Sequence, residues 1–78
     1  MNNLEQKIKG MLVKTFDMNP GEVAPGAVLG DDLEMDSLEI VEMVVALEKE
    51  FNIEIGDGVI TPKNRLGDVI DIVRDRLK

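Results

Sequence analysis

The segment from Asp36 to Phe51 constrains the fold most, because its apolar residues repeat at helical spacing and its first residues can cap a helix. An aspartate followed three residues later by Glu39 is the pattern of a capping box. The sequence therefore predicts Asp36 as the N-cap and Ser37 as the first helical residue. The helix is expected to run to about Phe51, where Asn52 and two β-branched residues loosen it.

This predicted helix carries two apolar stripes. The first has the three- and four-residue spacing of a face that packs on a core, and it consists of Ile40, Met43, Val44, Leu47 and Phe51. The second is bordered by glutamates and consists of Leu38, Val41 and Val45. A second stripe can widen the core face or form a docking surface, and periodicity by itself favours the wider core.

Two further amphipathic helices are predicted, one over residues 3–17 and one from about Asn64, a suitable N-cap, to the C-terminus. Residues expected on the buried face of the last helix are Leu66, Ile70, Val73 and Leu77. Residues 18–35 form a long connection rich in proline and glycine, and residues 56–64 can hold a short turn of helix at most. The pattern predicts an all-α fold, a small helical bundle of three main helices, formed by residues 1–78 as a single domain.

Composition limits the compartment in which such a chain is expected. Its 78 residues include no cysteine, so disulfides cannot stabilise it, which fits a reducing cytosol. The first ten residues lack the apolar core of a signal peptide. The longest apolar run, Met43 to Leu47, is too short to cross a bilayer. We therefore expect a cytoplasmic protein without membrane insertion.

The charge is concentrated in one part of the chain. The net charge is −7, and residues 31–54 alone contribute −8, because nine carboxylates there face the single Lys49. Such a field repels nucleic acid and anionic lipid and attracts basic protein surfaces. The same acids can instead form only a solvated face that aids solubility.

The residue inventory excludes most catalytic chemistry. There is no histidine or cysteine, so a serine nucleophile lacks its usual base and zinc lacks its preferred ligands. The glycines at 56 and 58 have no Walker lysine pattern. A calcium loop starting at Asp32 would need glycine at its sixth position and glutamate at its twelfth, and these are Ser37 and Met43. No enzymatic activity and no metal site are expected.

Ser37 is the one serine of the chain, and it has two interpretations. It can be an ordinary residue of the first helical turn, which is the commoner case. Alternatively, another enzyme modifies its hydroxyl, since the free N–H groups and the dipole of a helix N-terminus favour an attached phosphate. The surrounding carboxylates would then attract a basic modifying enzyme.

The stretch from Asp31 to Glu42, with Asp-Ser-Leu at residues 36–38, resembles the attachment motif of acyl carrier proteins. Leu-Glu at 47–48 and Glu-Phe at 50–51 are similar to the rest of that family's second helix. The resemblance covers essentially the whole chain. It implies an up-and-down bundle with a short third helix or turn and a long first loop.

The resemblance also implies a function. Acyl groups would be carried as thioesters on 4′-phosphopantetheine joined to Ser37, with Asp36 and Leu38 completing the motif, for fatty acid or related acyl-chain biosynthesis. A holo-acyl-carrier-protein synthase would attach the arm, and acyl-loading and acyl-processing enzymes would dock through basic patches. The protein would be a monomeric carrier, and not itself an enzyme. The cargo could also be a polyketide, amino-acyl or hydroxyacyl group, and an acidic adaptor without a prosthetic group is the alternative of a different class.

Two residue sets follow from the resemblance. The docking surface on partners would consist of Glu39, Val41, Glu42, Val45 and Glu48. The acyl chain would enter the bundle interior, lined by Ile40, Met43, Val44, Phe51, Ile70 and Val73.

The chain departs from the family pattern in two places. Glu34-Met35 stand where small residues such as Gly-Ala are usual before Asp-Ser-Leu. Residues 56–65, which include Lys63 and Arg65, replace a segment that is usually an acidic short helix. Both segments lie where partners would contact a carrier, so they bear on whether it is a housekeeping or a specialised one.

Overall fold

Three α-helices form the scaffold of residues 3–78, the part of the chain that this computed structural model describes: α1 (Asn3–Phe16), α2 (Ser37–Phe51) and α3 (Leu66–Arg76). Within these residues the only β-type pairing is an isolated bridge between Val28 and Arg65. The all-α prediction with three main helices is therefore confirmed.

Each helix end has a local cause. In α1, Lys9 pairs with Glu5 one turn earlier at 3.0 Å, and Asp17 ends the helix with φ of 55°. Asn52 ends α2 in the same left-handed conformation, with φ of 54°, and its amide donates to the carbonyl of Glu48. Asparagine and aspartate tolerate this region better than most residues, so both positions suit helix ends.

The predicted start and end of the last helix were wrong by one or two residues. Arg65, not Asn64, is the N-cap, and its amide donates to Asp68 Oδ2 at 2.9 Å. The Asn64 side chain accepts instead from the Thr61 amide at 2.8 Å and closes a preceding turn. The helix ends at Arg76, so Leu77, predicted on the buried face, lies beyond the last turn and is exposed.

The core lies between the helices and is completed by the connections. Fully buried helical residues are Ile8, Leu12, Met43, Leu47, Leu66, Val69 and Val73. The connections add their own buried anchors, which are Val23, Leu29, Met35, Ile55 and Ile60. The long first loop is therefore held down by apolar side chains, as long loops in small domains usually must be.

Backbone hydrogen bonds join the first loop to the start of α3. The amide of Gly30 donates to the Pro62 carbonyl at 2.8 Å, and the amide of Gly67 donates to the Pro25 carbonyl at 2.8 Å. At residue 30 only glycine fits without movement, because a Cβ there would lie 2.9 Å from the Pro62 Cβ. We call these contacts between residues 25–30 and 62–67 the loop seam.

The segment between α2 and α3 forms turns. Gly56 and Gly58 adopt φ of 94° and 79°, which L-residues with a side chain rarely adopt, and residues 57–64 contain no helix. Of the two predicted possibilities, a short third helix or a turn, the structure has the turn.

Candidate functional site

Ser37 is exposed at the first position of α2, where a capping box holds the backbone. The Asp36 Oδ1 atom accepts from the Glu39 amide at 2.8 Å, and the Glu39 Oε1 atom accepts from the Asp36 amide at 3.2 Å. The predicted capping box is confirmed. It leaves the amides of Ser37 and Leu38 without intrahelical acceptors, because the first N–H groups of a helix have none. The hydroxyl therefore projects from an electropositive helix end.

The two residues before the cap fix the approach of the chain. Glu34 has φ of 56°, the left-handed conformation that glycine adopts without cost. Met35 is buried in the core, and its amide donates to the Leu29 carbonyl at 3.0 Å. The unusual Glu34-Met35 pair thus combines one strained position with one apolar anchor immediately ahead of α2.

The second apolar stripe of α2 is exposed. Leu38, Val41 and Val45 are 68%, 52% and 43% accessible, respectively. The wider core that periodicity favoured is therefore wrong. The first stripe already meets the interior, and no helix of the described chain packs over the second. We call Leu38, Val41 and Val45 the exposed stripe.

The glutamates near this stripe differ in what they contact. Glu42 is exposed, whereas Glu39 is engaged in the capping box. Glu48 is half-buried as a residue, and its carboxylate accepts from the amides of Ile55 at 2.8 Å and Gly56 at 3.2 Å. The Ile55 hydrogen bond, followed by that of Gly56, lowers the pKa of Glu48. Among residues 3–78, the ion pairs lie on α1 and α3, and none neutralises an α2 glutamate.

A cleft of about 110 Å³ lies between α2 and the turns that follow it. Its α2 wall starts one turn beyond Ser37 and consists of Ile40, Val41, Val44, Val45 and Glu48. Its opposite wall consists of Gly56, Asp57, Gly58 and Ile60. Because Val41, Val44 and Glu48 follow Ser37 by four, seven and eleven residues, they lie on the same side of the helix as the hydroxyl.

The cleft contains only part of the set predicted to line an acyl cavity. Ile40 and Val44 line it, while Met43, Ile70 and Val73 are buried in the core and Phe51 is half-buried at the end of α2. Sequence reasoning missed the wall formed by residues 56–60. The only sequence signal for this wall was the pair of glycines at 56 and 58. They indicated turns but did not indicate which helix the turns would face.

The two cations of residues 56–65, the segment that departs from the family pattern, have different surroundings. The Arg65 Nη1 atom donates to the Gly26 carbonyl at 2.7 Å, so this guanidinium belongs to the loop seam. Lys63 is exposed. Only the lysine is thus a cation directed at solvent rather than at the chain itself.

The described residues form neither a metal-binding cluster nor a membrane-spanning helix. Between residues 3 and 78, no three carboxylates or other metal-binding side chains come together as a metal site would require. None of the three helices is both long and apolar enough to cross a membrane.

Comparison with known proteins relates this geometry to a family. The family described as "Phosphopantetheine attachment site" matches residues 6–73. An acyl carrier protein of Buchnera aphidicola subsp. Schizaphis graminum is 38% identical over 78 residues, which cover all of this chain and 99% of the relative. The chain belongs to the acyl carrier protein family. The family resemblance seen in the sequence is confirmed.

A second relative supports the same membership. The acyl carrier protein of Thermosynechococcus vestitus is 34% identical over 79 residues, covering 99% of this chain and 98% of the relative. Membership confirms 4′-phosphopantetheine as the prosthetic group and a carrier, not an enzyme, as the kind of protein.

The site fits such a group. Ser37 offers an accessible hydroxyl, and two amides without intrahelical acceptors can stabilise a phosphate beside it. An apolar cleft begins one turn away on the same face of the helix.

Proposed function

We propose that this acyl carrier protein holds 4′-phosphopantetheine on Ser37 and carries acyl groups on it as thioesters, for fatty acid or related acyl-chain biosynthesis. One observation supports this most directly. The chain's single serine lies exposed at the N-terminus of α2, on the face that continues into the apolar cleft.

The chain's own residues position the attachment. The capping box of Asp36 and Glu39 holds the first turn, so the Ser37 hydroxyl is presented in one orientation of the backbone. The helix N-terminus then stabilises the phosphate of the arm. When attached, the arm supplies the thiol that the protein lacks, since the chain contains no cysteine.

We further propose that partners dock on α2. The exposed stripe provides apolar contact area next to Ser37, and Glu42 borders it one turn from Leu38. Glu39 and Glu48 add negative charge at the two ends of the same surface. A partner with a basic patch around an apolar centre would fit, as expected of the holo-acyl-carrier-protein synthase and of acyl-loading enzymes.

The lining of the cleft bears on the cargo. Its α2 wall is formed by isoleucine and valine side chains, and Ile60 continues it on the opposite side. Such a wall favours an apolar acyl chain, because burying the charge of an amino-acyl group there would be costly. We propose that the chain works as a single monomeric domain over residues 1–78 in the cytoplasm.

Modification of the purified apo protein tests the proposal. Incubation with coenzyme A, Mg²⁺ and a holo-acyl-carrier-protein synthase should add the mass of one phosphopantetheine group, read by intact-mass spectrometry. Ser37→Ala should add none. Thr61→Ala, which removes another exposed hydroxyl, should be modified like the wild type. Modification of Ser37→Ala would refute Ser37 as the attachment site.

A further inference from the structure

Glu48 is the residue around which the chain turns after α2. Its carbonyl accepts from the amides of Asn52 and Ile53, the latter at 3.1 Å. Its side chain accepts from the amides of Ile55 and Gly56 through one oxygen, Oε2. One residue thus accepts hydrogen bonds from four of the next eight amides, and its side chain joins the two walls of the cleft.

The position of Glu48 in the cleft is as informative as its partners. Of the α2 residues that line the cleft, Ile40 is nearest to Ser37 in the sequence and Glu48 is farthest. Glu48 lies about 16 Å from Ser37 along the helix axis. The rest of the α2 wall is aliphatic. Within the cleft, the apolar wall of α2 therefore ends at the Glu48 carboxylate.

The chemistry of this end opposes extension of an apolar chain. Two amide hydrogen bonds satisfy part of the Glu48 carboxylate, and its exposed part is hydrated. A methylene chain lying over it would remove that water and supply no hydrogen bond in return, which is costly for a charged group. A glutamate is ionised at neutral pH, and the hydrogen bonds from the Ile55 and Gly56 amides lower the Glu48 pKa further, so the charge is present under working conditions.

The size of the cleft agrees with a short occupant. Its volume of about 110 Å³ is below the roughly 150 Å³ of an apolar cavity that binds benzene. A longer chain would need the opposite wall to move. Within that wall, Gly56, Asp57 and Gly58 lie between the buried Ile55 and Ile60 and include two glycines, so this stretch can move while both anchors stay in the core.

We propose that Glu48 is a specificity-determining residue that closes the far end of the cleft and limits the length of acyl chain the cleft accepts. It does so by holding residues 55–58 against α2 and by placing a charge where the chain would continue. This inference rests on the proposed carrier function, and it assigns Glu48 a role separate from partner docking.

The first experiment uses the unmodified chain and tests the hydrogen bonds. Amide exchange measured by NMR should speed up at Ile55 and Gly56 in Glu48→Ala by about tenfold or more, because a hydrogen bond to a charged group is worth at least that factor. The amides of α1 and α3 should exchange as in the wild type. Glu50→Ala removes an exposed glutamate of the same helix and should change neither set. Unchanged exchange at Ile55 and Gly56 would overturn the proposal whether or not Ser37 is modified.

The second experiment tests chain length. The holo protein is loaded with butanoyl, hexanoyl, octanoyl or decanoyl groups, and the thermal midpoint of each form is measured. In the wild type and in Glu50→Ala the midpoint should rise over the shorter chains and then stop rising. In Glu48→Ala it should keep rising with the longer chains. Comparing increments within one variant removes any general loss of stability that the substitution causes.

Glu48→Gln keeps an acceptor oxygen and removes only the charge. It therefore provides a second test of chain length, which remains available if Glu48→Ala does not fold. Its midpoint should rise for at least one chain length beyond the wild-type limit. If both variants stop at the wild-type chain length, or if the wild-type series is flat, Glu48 does not limit the cargo. Those results would leave the carrier function intact, whereas failure of the proposed function would show as the absence of any modification at Ser37.

Discussion

Leu47 and Leu38 lie on the same helix, yet the structure buries Leu47 completely and leaves 68% of Leu38 accessible. Their stripes have similar composition and the same kind of helical spacing. The difference comes from what lies opposite. Residues of α1, α3 and the first loop share one core with Leu47, while the side of Leu38 faces solvent and, farther along, the turns at 56–60. Apolar periodicity therefore identifies helix faces without saying which one finds a partner inside the chain.

The largest expected effect compares these two leucines directly. Leu47→Ala should lower the free energy of unfolding by about 2–5 kcal/mol, since it leaves a cavity in the core. Leu38→Ala, the same chemical change on the exposed stripe, should stay within about 0.5 kcal/mol. Urea unfolding followed by circular dichroism measures both. Equal losses would mean that the exposed stripe is packed in solution and that the contrast is wrong.

The loop seam holds the first loop over the core-facing stripe of α2, which contains Leu47. Disturbing the seam should lower the free energy of unfolding, but by less than removing a core side chain. Gly30→Ala should destabilise the protein by about 1–3 kcal/mol, because its Cβ would lie 2.9 Å from the Pro62 Cβ and 3.0 Å from the Pro62 carbonyl oxygen. Gly26→Ala is the matched control, since no atom lies within 4 Å of its Cβ position. Thermal unfolding of both variants distinguishes a clash at the seam from a general effect of alanine; a similar midpoint for the two would argue against a tight seam.

The exposed stripe should matter for docking and not for folding. Val41→Asp should slow modification by the synthase about tenfold, as expected when an apolar contact at an interface centre is lost, with little dependence on salt. Glu42→Lys should slow it a few-fold at low ionic strength, and the defect should shrink as salt rises, because an exposed charge mainly steers association. Initial rates of mass addition at several salt concentrations measure both effects.

Circular dichroism and unfolding curves of these two variants must match the wild type for that comparison to hold. Wild-type modification rates in both would show that the acidic face of α2 is only solvated. A salt-dependent defect in Val41→Asp would show that its introduced charge, and not the lost apolar contact, causes the effect.

The smallest expected effect concerns acid stability at the border of the cleft. Hydrogen bonds from the Ile55 and Gly56 amides lower the folded-state pKa of Glu48, so the unfolded chain binds its proton more readily. The resulting stability is present above the unfolded pKa of about 4.5 and is lost as pH falls through the lower folded pKa. Glu48→Gln should therefore show a shallower loss of unfolding free energy below about pH 4.5 than the wild type.

Asp68 also contributes to the loss of unfolding free energy at low pH, both in the wild type and in Glu48→Gln. The Arg65 amide and the Asn64 side chain hydrogen bond to its carboxylate and lower its pKa. Glu48→Gln should thus remove only part of the slope, and Asp68→Asn in the same background should remove more. Identical slopes in wild type and Glu48→Gln would mean that the Glu48 hydrogen bonds do not persist in solution.

The start of α2 was predictable because every interaction that fixes it is local. Asp36 and Glu39 are three residues apart, and their mutual hydrogen bonds need no other part of the chain. Ser37 follows the cap, so its exposed position at the first turn could be expected from the sequence. The acyl carrier resemblance includes these residues and extends through Leu47-Glu48 and Glu50-Phe51 to essentially the whole chain.

The start of α3 looked equally local and was misplaced. Asn64 is a good N-cap in general, but its side chain accepts from Thr61, and the cap moves to Arg65. Arg65 is held there by contacts across the chain, with the Gly26 carbonyl and in the bridge to Val28. A capping preference can be overruled when a neighbouring turn and a distant loop use the same residues.

The sequence by itself determined that three helices form, the cap of α2, the acidic segment and the single serine, because each depends on residues within one or two helical turns. Only the tertiary structure decided that Leu38, Val41 and Val45 stay exposed, that residues 56–60 form the second wall of the cleft, and that Glu48 joins the two walls. These features depend on which surfaces meet when α1, α3 and the two connections close around one face of α2. Burial of apolar area has no direction in itself, so the face that is covered is chosen by the lengths and hydrogen bonds of the connections rather than by the pattern on the helix.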